Sequence, residues 1–199
     1  VLAVAGDSKA AAGPYDSSLA LIETGLLQEY GIRSVGIAGY PEGHRKIPEP
    51  VLQASLASKI DVAQGTGLDL FMVSQFCFDG EMIVDWLRGL RARGVAIPVR
   101  IGVAGPATIR ALLNYGMRCG IGNSLRAIGT QAISLTRLVV QQGPEKVVRR
   151  VALDGKGLGI AGLHCFAFGG FAQTARWMEN VASGRFRLDD PSDSFSVSG

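Results

Sequence analysis

SVGIAGYPEGH, residues 34–44, runs apolar and Gly-bearing as far as Gly39 and then stops at Tyr40-Pro41-Glu42-Gly43-His44. The apolar part is nearly continuous rather than alternating. That is the pattern of a strand covered on both faces, as in a parallel sheet. A phenol, a carboxylate and an imidazole then crowd into the strand's C-terminal end, the edge where parallel α/β sheets gather their chemistry. A plain surface turn is the competing reading, and it fits Glu42 and Gly43 best.

Runs of the same kind recur on both sides: VLAVAG (1–6), LDLFMVSQFCF (68–78), PVRIGVAG (98–105) and GIAGLHCFAF (159–168). Helical patterns lie between them. In DSSLALIETGLLQEYG (16–31), Asp16 or Ser17 can cap, and Leu19, Ile22, Leu26 and Leu27 form one face. Others are EPVLQASLASKIDVAQG (49–65), GEMIVDWLRGLRARG (80–94), PATIRALLNYGMR (106–118), SLRAIGTQAISLTRLVVQQ (124–142) and FAQTARWMENVAS (171–183). Alternation at about 30 residues per unit predicts βα units and a parallel sheet. A doubly wound sheet and a (βα)8 barrel both fit. Residues 1–183 read as one domain, and the polar, Pro- and Ser-bearing tail 184–199 reads as extended or disordered.

Bulk properties exclude several classes. At 199 residues and 47% hydrophobic content the chain is large enough for one substantial core. A net charge of +3, with Lys and Arg scattered, gives no basic stripe for nucleic acid. Cys77, Cys119 and Cys165 stand singly in apolar segments, so neither a zinc site nor a disulfide framework is expected, and no HxxE or HxH spacing supplies another metal site. No run reaches the roughly 18 apolar residues of a membrane span, and VLAVAG is too short for a signal peptide. A reduced, cytoplasmic protein that binds neither membrane nor nucleic acid is the expectation.

Gly157, Gly159 and Gly162 match GxGxxG, but they run into a strand instead of opening a helix, the wrong phase for a nucleotide loop. Gly169-Gly170 follows the last strand and precedes a helix. Its free N–H groups can face a ligand, or the pair can merely ease a tight turn. Asp7, at a strand end, can accept paired hydrogen bonds from an amidine-like ring or cap its own loop. Gln75 interrupts an apolar strand, so its amide needs either a ligand or a buried network. His44 can be a loop residue or a ligand for a ribityl or phosphate group. His164, in mid-strand, reads as structural, and Lys59 as a solvated position unless a phosphate is near.

VLAVAGD, GPYDSSL, GIAGYPEGH, SQFCFD, ARGVAIPVRIGVAG and NYGMRCGI occur here in one order. Together they resemble the methylenetetrahydrofolate reductase family of flavin-dependent (βα)8 TIM barrels, from Val1 to about residue 180. The resemblance implies that VLAVAGD is the barrel's fourth strand and that this segment holds strands 4–8. The first three strands, with the glutamate that serves as general acid, would lie upstream of Val1. Five parallel strands cannot close such a barrel, so either a partial chain or a barrel completed by another segment is expected.

The resemblance also implies an oxidoreductase of one-carbon and methionine metabolism. It would reduce 5,10-methylenetetrahydrofolate to 5-methyltetrahydrofolate, with FAD as cofactor and NAD(P)H as electron donor. Asp7 would be the catalytic residue in this segment, beside flavin and folate. Gly6, Tyr15, Tyr40, His44 and Lys59 would bind the cofactor, and Gln75 and Tyr115 would join Asp7 in binding substrate. A small-molecule folate substrate and a homo-oligomeric state are likewise implied. The family's Arg-Gly-Asp is Ala5-Gly6-Asp7 here, and FAFGGF carries glycines where the family has a folate-binding arginine. Those departures keep two alternatives in view: a flavin-independent relative with direct hydride transfer, and a non-catalytic folate- or flavin-binding module.

Overall fold

A computed structural model of the chain describes residues 1–5, 13–121, 141–189 and 193–197. In chain order the strands are β1 (Leu2–Ala3), β2 (Ser34–Gly39), β3 (Asp69–Ser74), β4 (Val99–Ala104), β5 (Ala107–Thr108), β6 (Gln141–Gln142), β7 (Ile160–Phe166), β8 (Phe186–Asp189) and β9 (Ser194–Val197). The helices are α1 (Ser18–Glu23), α2 (Leu26–Glu29), α3 (Glu49–Thr66), α4 (Gly80–Ala92), α5 (Ile109–Cys119), α6 (Glu145–Asp154) and α7 (Phe171–Ala182).

The protein is α/β. β1, β2, β3, β4 and β7 form one all-parallel sheet and lie side by side in chain order. A doubly wound sheet reverses its order at a switch point, and no reversal occurs among the described strands. Val35, Ile37, Leu70, Met72, Val99, Ile101 and Val103 alternate onto one face, where α1 to α4 and α6 cover them. Gly36, Phe71, Arg100, Gly102 and His164 take the opposite face. There the Arg100 guanidinium lies 4.3 Å over the Phe71 ring.

β2 and β3 pair from Ser34–Asp69 to Gly39–Ser74. β3 and β4 pair only at Met72–Val99 and Val73–Arg100. Beyond them the Gly102 N–H donates to the hydroxyl of fully buried Ser74 at 2.8 Å, so a side chain replaces the ladder. A Cβ at Gly102 would overlap the Ser74 carbonyl oxygen, which explains why the position is bare.

The expected single helix over 16–31 is two. Ser17 caps the first, its hydroxyl accepting from Ala20 N–H at 3.1 Å. Gly25 then turns at φ +76, while the Thr24 hydroxyl accepts from Leu26 N–H at 3.2 Å. The chain direction changes there, yet Ile22 and Leu27 stay buried on either side. Asp79 caps α4, accepting from Glu81 and Met82 N–H at 2.9 and 3.2 Å, and Ile83, Val84, Leu87 and Leu90 bury its apolar stripe. Gly157 and Gly159, at φ +79 and +70, feed β7 rather than a helix. Most of the pattern 124–142 lies outside the described residues. In the tail, β8 and β9 pair antiparallel, and buried Phe195 packs on Trp177 of α7 and on Phe186.

Candidate functional site

Parallel strands end at a common edge, and this brings Tyr40, His44 and Gln75 to one side of the sheet. Tyr40 follows β2 and Gln75 follows β3. Because Gly39 lies opposite Ser74, the two leave the sheet as neighbours, and Gln75 N–H donates to the Gly39 carbonyl at 2.7 Å.

The stretch after β2 folds back on itself. Gly43, at φ +75, donates its N–H to the Tyr40 carbonyl at 3.1 Å. His44 then meets Tyr40 edge-on, with ring centroids 5.0 Å apart and planes at 74°. His44 Nδ1 accepts from Lys46 and Ile47 N–H at 3.2 and 3.1 Å, closing the turn that leads into α3. A ring accepting at Nδ1 keeps its proton on Nε2, so His44 presents a donor outward.

Behind this turn, between the start of α1, α3 and the sheet, lies a cavity of about 300 Å³. Tyr40, Leu56, Lys59, Met72 and Trp86 are among its walls. Gly39 helps to make it, because a Cβ there would overlap Met72 Sδ and press on Trp86. Lys59 is half-buried, and burial pushes its pKa below the ordinary lysine value. Among the described residues no acceptor takes a hydrogen bond from its ammonium. Lone, partly desolvated cations of this kind concentrate at binding sites.

Tyr115 stands apart from that cavity. It stacks on Phe168, with centroids 4.3 Å apart and planes at 17°. Phe168 packs edge-on against buried Phe76 at 4.6 Å. Phe76 in turn donates its N–H to Gln75 Oε1 at 3.2 Å. Gln75 and Tyr115 are therefore joined through two phenylalanines that sequence reasoning did not single out. The signal was present: Phe76-Cys77-Phe78 and Phe166-Ala167-Phe168 put alternating rings at two strand ends.

The structure thus sets Tyr40 against His44, places Tyr40 and Lys59 on one cavity wall that His44 does not line, seats Gln75 beside Tyr40, and carries Tyr115 on a separate aromatic group. Tyr15 is exposed and does not line the cavity. Gly6 and Asp7 lie outside the described residues. His164 sits among the strands, edge-on to Phe166 at 4.8 Å. Burial first and the Arg100 charge second hold its pKa below the usual histidine value. Burial also pushes the Cys165 thiol up to about 11, which leaves it inert. Among the described residues, no three His, Cys, Asp or Glu side chains gather as a metal site, and no helix is long and apolar enough to cross a membrane.

No family model matches the sequence. Over 83 residues, 40% of its length, the chain is 31% identical to methylenetetrahydrofolate reductase 2 of Saccharomyces cerevisiae. The match spans 13% of that protein.

Proposed function

We propose that this chain is the strand 4–8 segment of a (βα)8-barrel oxidoreductase of the methylenetetrahydrofolate reductase type. Its reaction would be the reduction of 5,10-methylenetetrahydrofolate by NAD(P)H. The observation that carries this reading is the common C-terminal edge of a sequentially ordered parallel sheet, where Tyr40, His44 and Gln75 meet. The partial likeness to the yeast reductase supports it. Sequential strand order with α1 to α4 and α6 on one face suits a barrel segment.

The residues fit a flavin in part. A half-buried ammonium that has no acceptor among the described residues, at Lys59, suits an anionic phosphate. The cavity, at about 300 Å³, is at the lower end of ligand pockets (about 300–1,000 Å³) and encloses only a portion of such a cofactor. A flavin, when bound, supplies the hydride chemistry between nicotinamide and folate. The chain's own residues bind and orient. Lys59 neutralises phosphate, and His44 donates from Nε2. Gln75, whose Oε1 is occupied by Phe76 N–H, offers its amide N–H groups to the substrate ring. Asp7 would orient substrate at the same edge.

The flavin-independent relative is the second reading, and the small cavity favours it. At FAFGGF the arginine of the family has no room, because a Cβ at Gly169 would overlap the Pro106 carbonyl oxygen and Gly170 adopts φ +116. The test is NAD(P)H–menadione turnover on purified protein, with the visible spectrum recorded before and after FAD is added. Turnover that rises together with a visible flavin band supports the proposal. Folate binding with neither menadione reduction nor NAD(P)H oxidation by 5,10-methylenetetrahydrofolate, with or without flavin, overturns the enzyme reading in favour of a binding module.

A further inference from the structure

We infer that Phe168 is a positioning residue: it holds the Tyr115 ring as one wall of a stacking platform for a planar ring bound beside Gln75. This rests on the folate reading above and extends it to a residue to which that reading assigned no role.

The geometry begins with the glycine pair after β7. Gly169 lies against the Pro106 carbonyl and Ala107, where no Cβ fits. Gly170 opens α7 at φ +116, which side-chain-bearing residues avoid. Phe168 N–H donates to the Phe166 carbonyl at 2.9 Å, and that same carbonyl accepts from Gly105 N–H at 2.9 Å. This tight turn carries the Phe168 ring inward against α5. Larger residues at 169 and 170 would push it away.

Once there, Phe168 is fixed from below by Phe76, which is 1% exposed, and flanked by Phe166 at 5.8 Å and 12°. Its ring covers Tyr115 at 4.3 Å and 17°. Tyr115 itself remains 38% exposed, with surface left for a further ring. An exposed tyrosine turns freely about χ1 and χ2, and one stacked on a packed ring does not. Because Phe76 also hydrogen-bonds Gln75, one contiguous set of contacts fixes both the amide that reads a ring edge and the phenol that covers a ring face. The Gly169-Gly170 motif acquires a role that phosphate binding does not require.

The test titrates the full chain with two probes, 6-methylpterin and 5-methyltetrahydrofolate, by calorimetry. Wild type is compared with Phe168→Leu and Phe168→Tyr, and Tyr115 ring-proton shifts are recorded by NMR. Loss of the stack weakens both probes about fivefold in Phe168→Leu. The Tyr115 shifts move toward solution values in that variant, and Phe168→Tyr restores affinity and shifts together. Thermal midpoints report whether each variant is folded. Equal affinities in wild type and Phe168→Leu overturn the inference while leaving the folate reading intact. Pterin binding without folate binding keeps the platform and removes the folate reading. Binding of neither probe removes both.

Discussion

Lys59, half-buried, and Ser74, fully buried, are both polar residues withdrawn from solvent, and they differ in how they are satisfied. Lys59 has no acceptor among the described residues, and burial lowers its pKa. Wherever the pH lies between that lowered value and the ordinary lysine value, the folded chain binds fewer protons than the unfolded one. Stability therefore rises with pH across this alkaline window. Urea midpoints measured through it will rise for wild type and stay flat for Lys59→Met, apart from background titration common to both. Ser74 instead satisfies Gly102 N–H. Ser74→Ala leaves that buried donor unpaired and costs about 1–3 kcal/mol in denaturant unfolding. Ser74→Thr, which keeps the hydroxyl, will lose less. Neither was legible beforehand: Lys59 read as a solvated position, and a hydroxyl replacing a ladder hydrogen bond leaves no periodic trace in a sequence.

At the scale of elements, the long buried runs at 34–40, 68–78, 98–105 and 159–168 each became a strand of the sheet. Their continuous apolar character is a consequence of burial in a parallel sheet, so it is readable without coordinates. Boundaries were harder. Gln75, which interrupts an apolar run near its C-terminal end, lies one position past β3, where its N–H donates to the Gly39 carbonyl of β2. The break at Gly25 was hidden because Leu26 and Leu27 continue the apolar pattern on the other side of the turn. α4 was the plainest element, with its stripe of Ile83, Leu87 and Leu90 and a cap at Asp79. Asp79 could be read as a strand-end carboxylate with a chemical role, but both of its cap bonds go to backbone. Asp79→Ala will lower stability by about 1 kcal/mol, and Asp79→Asn or Asp79→Ser will recover most of it in thermal melts. If the aspartate has no further task, ligand affinities will be unchanged in all three variants.

For the whole molecule, the sequence left two architectures open because a buried parallel strand reads alike in a barrel and in a doubly wound sheet. Strand order bears on that choice, and order is a property of which strands pair, not of any single segment; among the described residues the parallel strands are sequential, which is consistent with part of a barrel. The candidate site was legible in the same partial way. Polar residues at strand ends were visible, while the link from Gln75 through Phe76 and Phe168 to Tyr115 needed the register and the turn at Gly169. Whether this edge of the sheet binds a reduced folate is decided by calorimetric titration of the purified chain with 5-methyltetrahydrofolate, wild type against Gln75→Ala. The expected result is saturable one-to-one binding that weakens about tenfold when the amide is removed. Absence of binding, or the same affinity in both proteins, rules the folate site out.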